Sequence, residues 1–526
     1  MFSDSSSTQI DVTSYWHEAK PSREVGTQAG PTGAQHVAAQ TASNAEAASQ
    51  AGGPECELGC VHVEGDDLDV SSELLGAEVD EPGLLGFLRR VEVPMCRELQ
   101  KAASSRAFAR IMDSKLSSMK QGDLQLLHTL RFRMAEQQGL AITGLGWSAS
   151  GSVIAVAFGQ YSRETTQTRS LIPSVDNSGW EAKPSFLCTW NLHRPRMDPD
   201  SPDLTLEAPG SLTCLACHPE KSAIIAAGAY NGDVFVWETN RDGDMLAGQS
   251  CGQSYGHEEP IHQMSWVREG GSASQSWLLI TAGTDGRVLL WRFTTRGLEL
   301  QRGLVLLRRD LPGAKSSKIR GDLPVGITAL SFFAEDPTMF VAGTEGGHVL
   351  KCSLKGGPPV LAPGLPSSVL LRGPALLAYD PLCGPVYAAH CSPFHRNIAL
   401  CAGADPDLRV YSLLQPRPLR RLPCPSYVFS AAWSPVRPLL CAAATAQGDL
   451  VFFNIVSQST MPVLHVRGCT EGLALYQLLW SPGDGRLLVT GGAAGRVSVW
   501  NLLGSLAESG GRAAMAELDH LAAESN

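Results

Sequence analysis

No run of apolar residues in the 526-residue sequence approaches the ~20 residues a membrane-spanning helix needs. The first twenty residues are polar and carry no apolar h-region, so no secretory signal is expected. Cations are in short supply: 42 Lys and Arg stand against 52 Asp and Glu, a formal net charge of −10. Nucleic acid is therefore not the expected main partner, because phosphate binding needs a surplus of Lys and Arg on one face. No G-x-x-x-x-G-K-[ST] segment occurs, which excludes a P-loop and the ATP hydrolysis that goes with it. A disulfide framework is missing too. Many of the 14 cysteines, among them Cys188, Cys352, Cys401 and Cys441, sit inside apolar strand-like runs, where a free thiol packs as a small apolar group. These absences predict a soluble intracellular protein with reduced cysteines and no membrane insertion.

Three fragments of catalytic motifs lack their context. Gly248-Gln249-Ser250-Cys251-Gly252 has the letters of a nucleophile elbow but lies in a Gly/Ser/Gln-rich link, without the strand, sharp turn and helix that expose a nucleophile. His257-Glu258-Glu259 opens like a zinc-protease helix. His262, however, is one residue too far along, and Pro260 breaks the helix. Cys56, Cys60 and His62 form half of a closed zinc site. No catalytic residue, metal or cofactor is expected.

What is present falls into distinct regions. Residues 1–81 are rich in Ser, Ala, Gln, Gly and Thr, with few aromatics and no stable period. Such a stretch cannot bury enough apolar area to offset the entropy of ordering it, so a disordered tail is expected. Its end, Glu55 to Glu81, has ten acidic residues and no Lys or Arg, and reads as a solvated spacer. Over residues 82–120 the character changes. Leu84, Phe87, Leu88, Val91 and Met95 recur at spacings of three and four, which predicts one apolar helical face, with Pro94 expected to kink or split it. That face suits either packing on the rest of the protein or docking of a small partner.

From residue 140 to 503 the sequence repeats. Each unit has an apolar strand, often a Ser-Pro or His-Pro turn, a Val/Ala/Leu strand ending in Ala-Gly or a similar small pair, a Gly or Asp turn, and a strand closing in an aromatic. The closing positions are Trp190, Trp237, Trp291, Cys352 (in place of an aromatic), Tyr411, Phe453 and Trp500, 42 to 61 residues apart. The shortest intervals match the WD-repeat period, and seven four-stranded units form an ordinary propeller. The fold class expected is all-β: a seven-bladed WD40 β-propeller behind a disordered extension and a short helical segment, with residues 504–526 a short tail or helix. In the third unit His257, Thr281, Asp285 and Trp291 have the spacing of the WD hydrogen-bond chain, a structural device. The insertion Arg308 to Gly321, with Lys315, Lys318 and Arg320, reads as a solvated loop or a basic contact.

Three tail segments centre on a Thr-Gln or Gln-Thr pair: Thr8-Gln9-Ile10-Asp11, Thr27-Gln28 and Gln40-Thr41. They are similar to the motif bound by the hub-type dynein light chain. That recognition works by β-augmentation, in which a free extended peptide adds a strand to a sheet edge. A fourth match, Thr165 to Thr168, sits in an insertion of the first unit.

Longer segments point the same way. PGLLGFLRRVEVPMCRELQK, TEGGHVLKCSL, SPFHRNIALCAGADPDLRVYSLLQ, WSPVRPLLCAAA and the ending ELDHLAAE resemble the smaller WD-repeat intermediate chain family of cytoplasmic dynein 2, the retrograde motor of intraflagellar transport. The resemblance covers about residues 82–526. It implies a propeller that grips the tail of the dynein-2 heavy chain. It also implies an N-terminal extension paired with a second, different intermediate chain through light chains of the hub, roadblock and Tctex classes. The Thr-Gln segments would then be hub sites, and the helix from Leu84 a roadblock-type docking segment, although Pro94 stands where the family pattern is continuous. Expected partners extend to intraflagellar transport trains, and expected locations are the cytoplasm and the cilium or flagellum, at its axoneme and basal body. The other class open to this sequence is a WD-repeat adaptor of a different complex, such as a ubiquitin ligase receptor or a trafficking coat. It would not need the Thr-Gln segments.

Overall fold

The computed structural model describes residues 83, 85–92, 94–95, 123–160, 185–250, 255–269, 276–311, 323–357, 359–360, 371–456, 461–507 and 510–523. The chain divides into two units, residues 1–105 and 106–526. In the first, the described positions from 83 to 95 are helical, and Pro94 is itself in helical conformation. The tail segments at Thr8–Asp11, Thr27–Gln28 and Gln40–Thr41, together with Leu84, Cys56, Cys60, His62, Thr165–Thr168 and the cations of the 312–322 insertion, lie outside the described residues.

The second unit is a ring of seven sheets, each built on the antiparallel strands of one repeat unit. The seven closing positions all fall in the third strand of a blade, from Trp190 in Ser185–Asn191 to Trp500 in Arg496–Leu502. The second strands Ile224–Ala229, Ile398–Gly403 and Leu440–Thr445 are buried at every residue, and the other four at every residue but the first. This explains their continuous apolar character: a neighbouring blade covers each face. The small pairs that end them have a steric cause. A Cβ on Gly343 would come within 2.4 Å of Val386 Cγ1 in the next blade, and one on Gly491 within 2.9 Å of Ile142. Glycine permits this approach of blade to blade.

The ring is closed by a strand upstream of the repeats. Leu124–Arg131 pairs antiparallel with Arg496–Leu502, from Leu124 opposite Leu502 to Arg131 opposite Arg496, and so becomes the outer strand of blade 7. Gln477 Nε2 then donates to the Thr143 carbonyl at 3.0 Å across the junction of blades 7 and 1. The propeller therefore begins before residue 140. Blade 3 is wider than the rest: Leu371–Arg372 runs parallel to its outer strand Gly297–Val305, and Pro359–Val360 adds beyond that. Both pieces come from the insertion within blade 4. Downstream of the ring, Gly511–Ala523 is a helix that buries Ala514, Leu518, Leu521 and Ala522 against the blade 5 and 6 core around Trp433, Leu439 and Ile455.

Candidate partner-binding surfaces

The four residues of the expected WD chain meet in one buried line. Trp291 Nε1 donates to Thr281 Oγ1 at 2.9 Å, and that oxygen lies 2.7 Å from His257 Nε2. On its other side His257 Nδ1 stands 3.1 Å from both oxygens of Asp285. Asp285 also accepts from the amides of Arg287 at 3.0 Å and Glu258 at 3.2 Å. Burial pushes the Asp285 carboxyl up, but the His257 contact and these two amides outweigh it and hold it below the usual carboxylate range. Every acceptor is thus occupied by groups of the same blade, which ties the entry loop to the turn and the third strand.

Sequence reasoning missed the substitutes in other blades. In blade 7 Trp500 Nε1 donates to Thr490 Oγ1 at 3.0 Å, half of the same chain. In blade 5, Arg409 pairs with Asp405 and also donates to the Pro381 carbonyl at 2.8 Å, while Tyr411 OH donates to the Asp380 carbonyl at 2.7 Å. Thr490 was legible ten residues before Trp500, the same interval as Thr281 to Trp291.

The fragments of catalytic motifs have structural duties. Gly248 belongs to Leu246–Gln249, the outer strand of blade 2, where the sequence suggested only a link. Ser250 Oγ accepts from the Val234 amide at 2.8 Å, anchoring the end of that strand. His262 lies in the inner strand of blade 3 and faces the central channel. Burial pushes the thiols of Cys214, Cys391 and Cys424 up to about 12, so they stay protonated and pack as apolar groups.

The seven inner strands surround a channel of about 680 Å³. In each, the pairing register slips near its start and passes over one residue: Thr143, Thr213, His262, Thr328, Tyr387, Phe429 and Tyr476. A bulge re-aims the residue it frees, and all seven line the channel. The ring they form is uneven. Tyr387, Phe429 and Tyr476 touch in sequence, with centroids 5.0 and 5.1 Å apart, while threonines occupy most of the other half. Among the described residues, no Asp, Glu, Lys or Arg lines the channel. This lining offers packing and neutral hydrogen bonds rather than acid–base pairs.

In the helical segment of the first unit, Phe87, Leu88 and Met95 are more than half exposed, as is Leu85, and Val91 is partly covered. Large apolar side chains on a helix are ordinarily covered, so this face is one that can take a partner.

No family profile matches the chain. Individual relatives do. Cytoplasmic dynein 2 intermediate chain 2 of Mus musculus and that of Homo sapiens are each 38% identical over 454 residues, 85% of this chain and 81% of the relative. The chain belongs to the cytoplasmic dynein 2 intermediate chain 2 family. More distant is the human dynein axonemal intermediate chain 2, 26% identical over 65% of this chain and 50% of its own length.

Two segments that carry the dynein 2 intermediate chain resemblance occupy equivalent places in adjacent blades. Ser392–Asn397 and Ser434–Pro438 are the turns between the first and second strands of blades 5 and 6. Each serine caps its own turn: Ser392 Oγ accepts from Phe394 and His395, Ser434 Oγ from Val436 and Arg437. The third segment, ELDHLAAE, supplies residues 517–523 of the C-terminal helix Gly511–Ala523, and it comes to the same place. His395 Nε2 stands 3.9 Å from Asp519 Oδ1, and Phe394 packs on the cluster that holds Leu518 and Leu521. These three of the five segments therefore build a single locality, in which the helix covers the seam between two blades.

Proposed function

We propose that this chain is a non-catalytic scaffold of the dynein-2 motor, holding the heavy-chain tail with its propeller and dynein light chains with its N-terminal region. The observation that carries this reading is the 38% identity to dynein 2 intermediate chain 2 across 85% of the chain, propeller included. A rigid closed ring with a channel free of charged lining residues is suited to docking rather than to turnover. The Thr-Gln segments at Thr8–Asp11, Thr27–Gln28 and Gln40–Thr41 take hub-type light chains. The face of Leu84, Phe87, Leu88, Val91 and Met95 takes a roadblock-type light chain, and a Tctex-type light chain joins the same pairing with a second, different intermediate chain. The motor so assembled serves intraflagellar transport trains in the cilium or flagellum and supports cilium assembly. Its place is on the cytoskeleton, with neither nucleic acid nor a membrane span involved. Among the described residues no helix is long and apolar enough to cross a membrane. The test is affinity purification of the full chain and of a variant lacking residues 1–50 from ciliated cells. The variant is expected to lose hub light chains and keep the heavy chain. Unchanged light-chain recovery would refute the tail assignment, and absence of a dynein heavy chain from both would refute the whole reading.

A further inference from the structure

Among the described residues, blade 3 alone carries strands added beyond its fourth. Where Leu371–Arg372 lies along the outer strand Gly297–Val305, a cleft of about 350 Å³ opens between blades 3 and 4, lined by Arg302, Gly303, Leu304, Leu354, Lys355 and Arg372. Among these six described residues three are cations and none is an acid, in a chain whose net charge is −10. All three cationic side chains are exposed, whereas Leu304 and Leu354 form a buried floor. Two carboxylates stand nearby: Asp310 accepts from the Leu307 amide at 3.2 Å, and Glu269 is paired with Arg292 at 2.9 Å while also attracting Arg302. Among the described residues, Arg372 makes a long contact of 3.5 Å from its Nη1 to the Gly357 carbonyl.

Beside the cleft, the same stretch of chain continues into the outer strand of blade 4, Ala375–Tyr379. Its pairing register slips between Lys351 and Cys352, and Leu376 and Leu377 emerge 59% and 42% exposed. A basic cleft followed, four residues along the chain from Arg372, by exposed leucines complements an anionic chain that also carries aliphatic side chains.

We propose that this rim cleft is a docking site for an acidic, leucine-bearing segment of a partner protein, with its carboxylates on Arg302, Lys355 and Arg372 and its aliphatic side chains on Leu376 and Leu377. A nucleic acid would have no use for the leucines and would meet repulsion from the rest of the molecule. The docking is separate from the light-chain and heavy-chain assignments, and its test does not involve them.

The measurement is fluorescence anisotropy of a short labelled peptide alternating Asp or Glu with Leu, titrated with the full chain. The triple variant R302E/K355E/R372E is expected to weaken binding about tenfold or more, because it converts several rim attractions into repulsions. The pair L376S/L377S is expected to weaken it severalfold while leaving its salt dependence intact. Because all five side chains are exposed, thermal midpoints should hold. Should the triple variant misfold, the milder R302Q/K355Q pair must still weaken binding and flatten its salt dependence. Unchanged affinity in either charge variant overturns the proposal. So does equal affinity for a leucine-free poly-glutamate peptide, for single-stranded nucleic acid, or for phosphatidylserine vesicles.

Discussion

The Thr281 hydroxyl serves two partners at once, accepting from Trp291 Nε1 and facing His257 Nε2. With Nδ1–H directed at Asp285, His257 leaves Nε2 to accept, so the Thr281 proton completes an unbroken chain. Thr281→Val keeps the shape but orphans the indole N–H and the imidazole nitrogen where no water reaches. A loss of about 2–4 kcal/mol is expected in urea unfolding, with the slope unchanged. Thr490→Val orphans only the Trp500 indole and should cost less. If the two cost the same, the His257–Asp285 half contributes nothing to the chain. His390 makes a different prediction, in pH. Burial lowers it to about 4, and its Nδ1 accepts from the Trp433 amide at 3.3 Å, a contact only the neutral ring can make. The folded value lies below that of a free histidine, so the unfolded chain takes up the proton first. The contribution of His390 is therefore complete above about pH 6.5 and is lost as pH falls towards 4. Thermal midpoints of the wild type should decline across that window. His390→Asn, which retains an acceptor but no titration, should decline less. Because His390 borders the channel, water softens the effect relative to a sealed site.

At the scale of elements, ring closure depends on Leu124–Arg131. A chain starting at residue 123 should melt like the full protein, whereas one starting at residue 133 exposes the edge of Arg496–Leu502 and strips the cover from Trp500 and Val497. The expectation is a markedly lower thermal midpoint and concentration-dependent aggregation, read by light scattering; equal melting would show that the strand is dispensable. The closing strand was not legible in the sequence, and the reason is physical. LQLLHTLR is half exposed, has no repeat around it, and finds its partner at the far end of the chain. The other outer strands share the difficulty. Leu204–Ala208, Leu246–Gln249 and Ala375–Tyr379 are short, partly exposed and, in two of the three, bulged, so neither a long apolar run nor clean alternation announces them. The second and third strands were legible because burial on both faces leaves little choice but Val, Ala, Leu and an aromatic closure. The His257 chain was legible from spacing alone. The cleft at Arg302, Lys355 and Arg372 was not, since its members come from two blades and meet only through the strand Leu371–Arg372.

For the whole molecule, the proposed division of labour is between a stiff ring and an N-terminal stretch that acts through repeated short motifs. The motifs make the stronger prediction, because their number matters as well as their identity. On this proposal each Thr-Gln segment alone would offer one strand to a light-chain groove, and a dimeric light chain has two grooves to fill. Once one segment was held, the next would engage at the effective concentration set by the intervening chain, and the partner intermediate chain would be gripped by all of them together. Replacing one anchor, as in Gln9→Ala, should therefore weaken light-chain-dependent pairing only severalfold. Replacing Gln9, Gln28 and Gln40 together should forfeit the shared avidity, a factor of about 10² or more. The measurement is recovery of the second intermediate chain with the full-length tagged protein over a range of light-chain concentrations. Heavy-chain recovery is followed in the same samples and is expected to stay constant. If Gln9→Ala alone abolished pairing, a single segment would carry the function and the repetition would be incidental. If the triple variant paired normally, the joining of intermediate chains would have to come from the helical face around Phe87 and Leu88, whose exposed side chains Phe87→Ala/Leu88→Ala would then test.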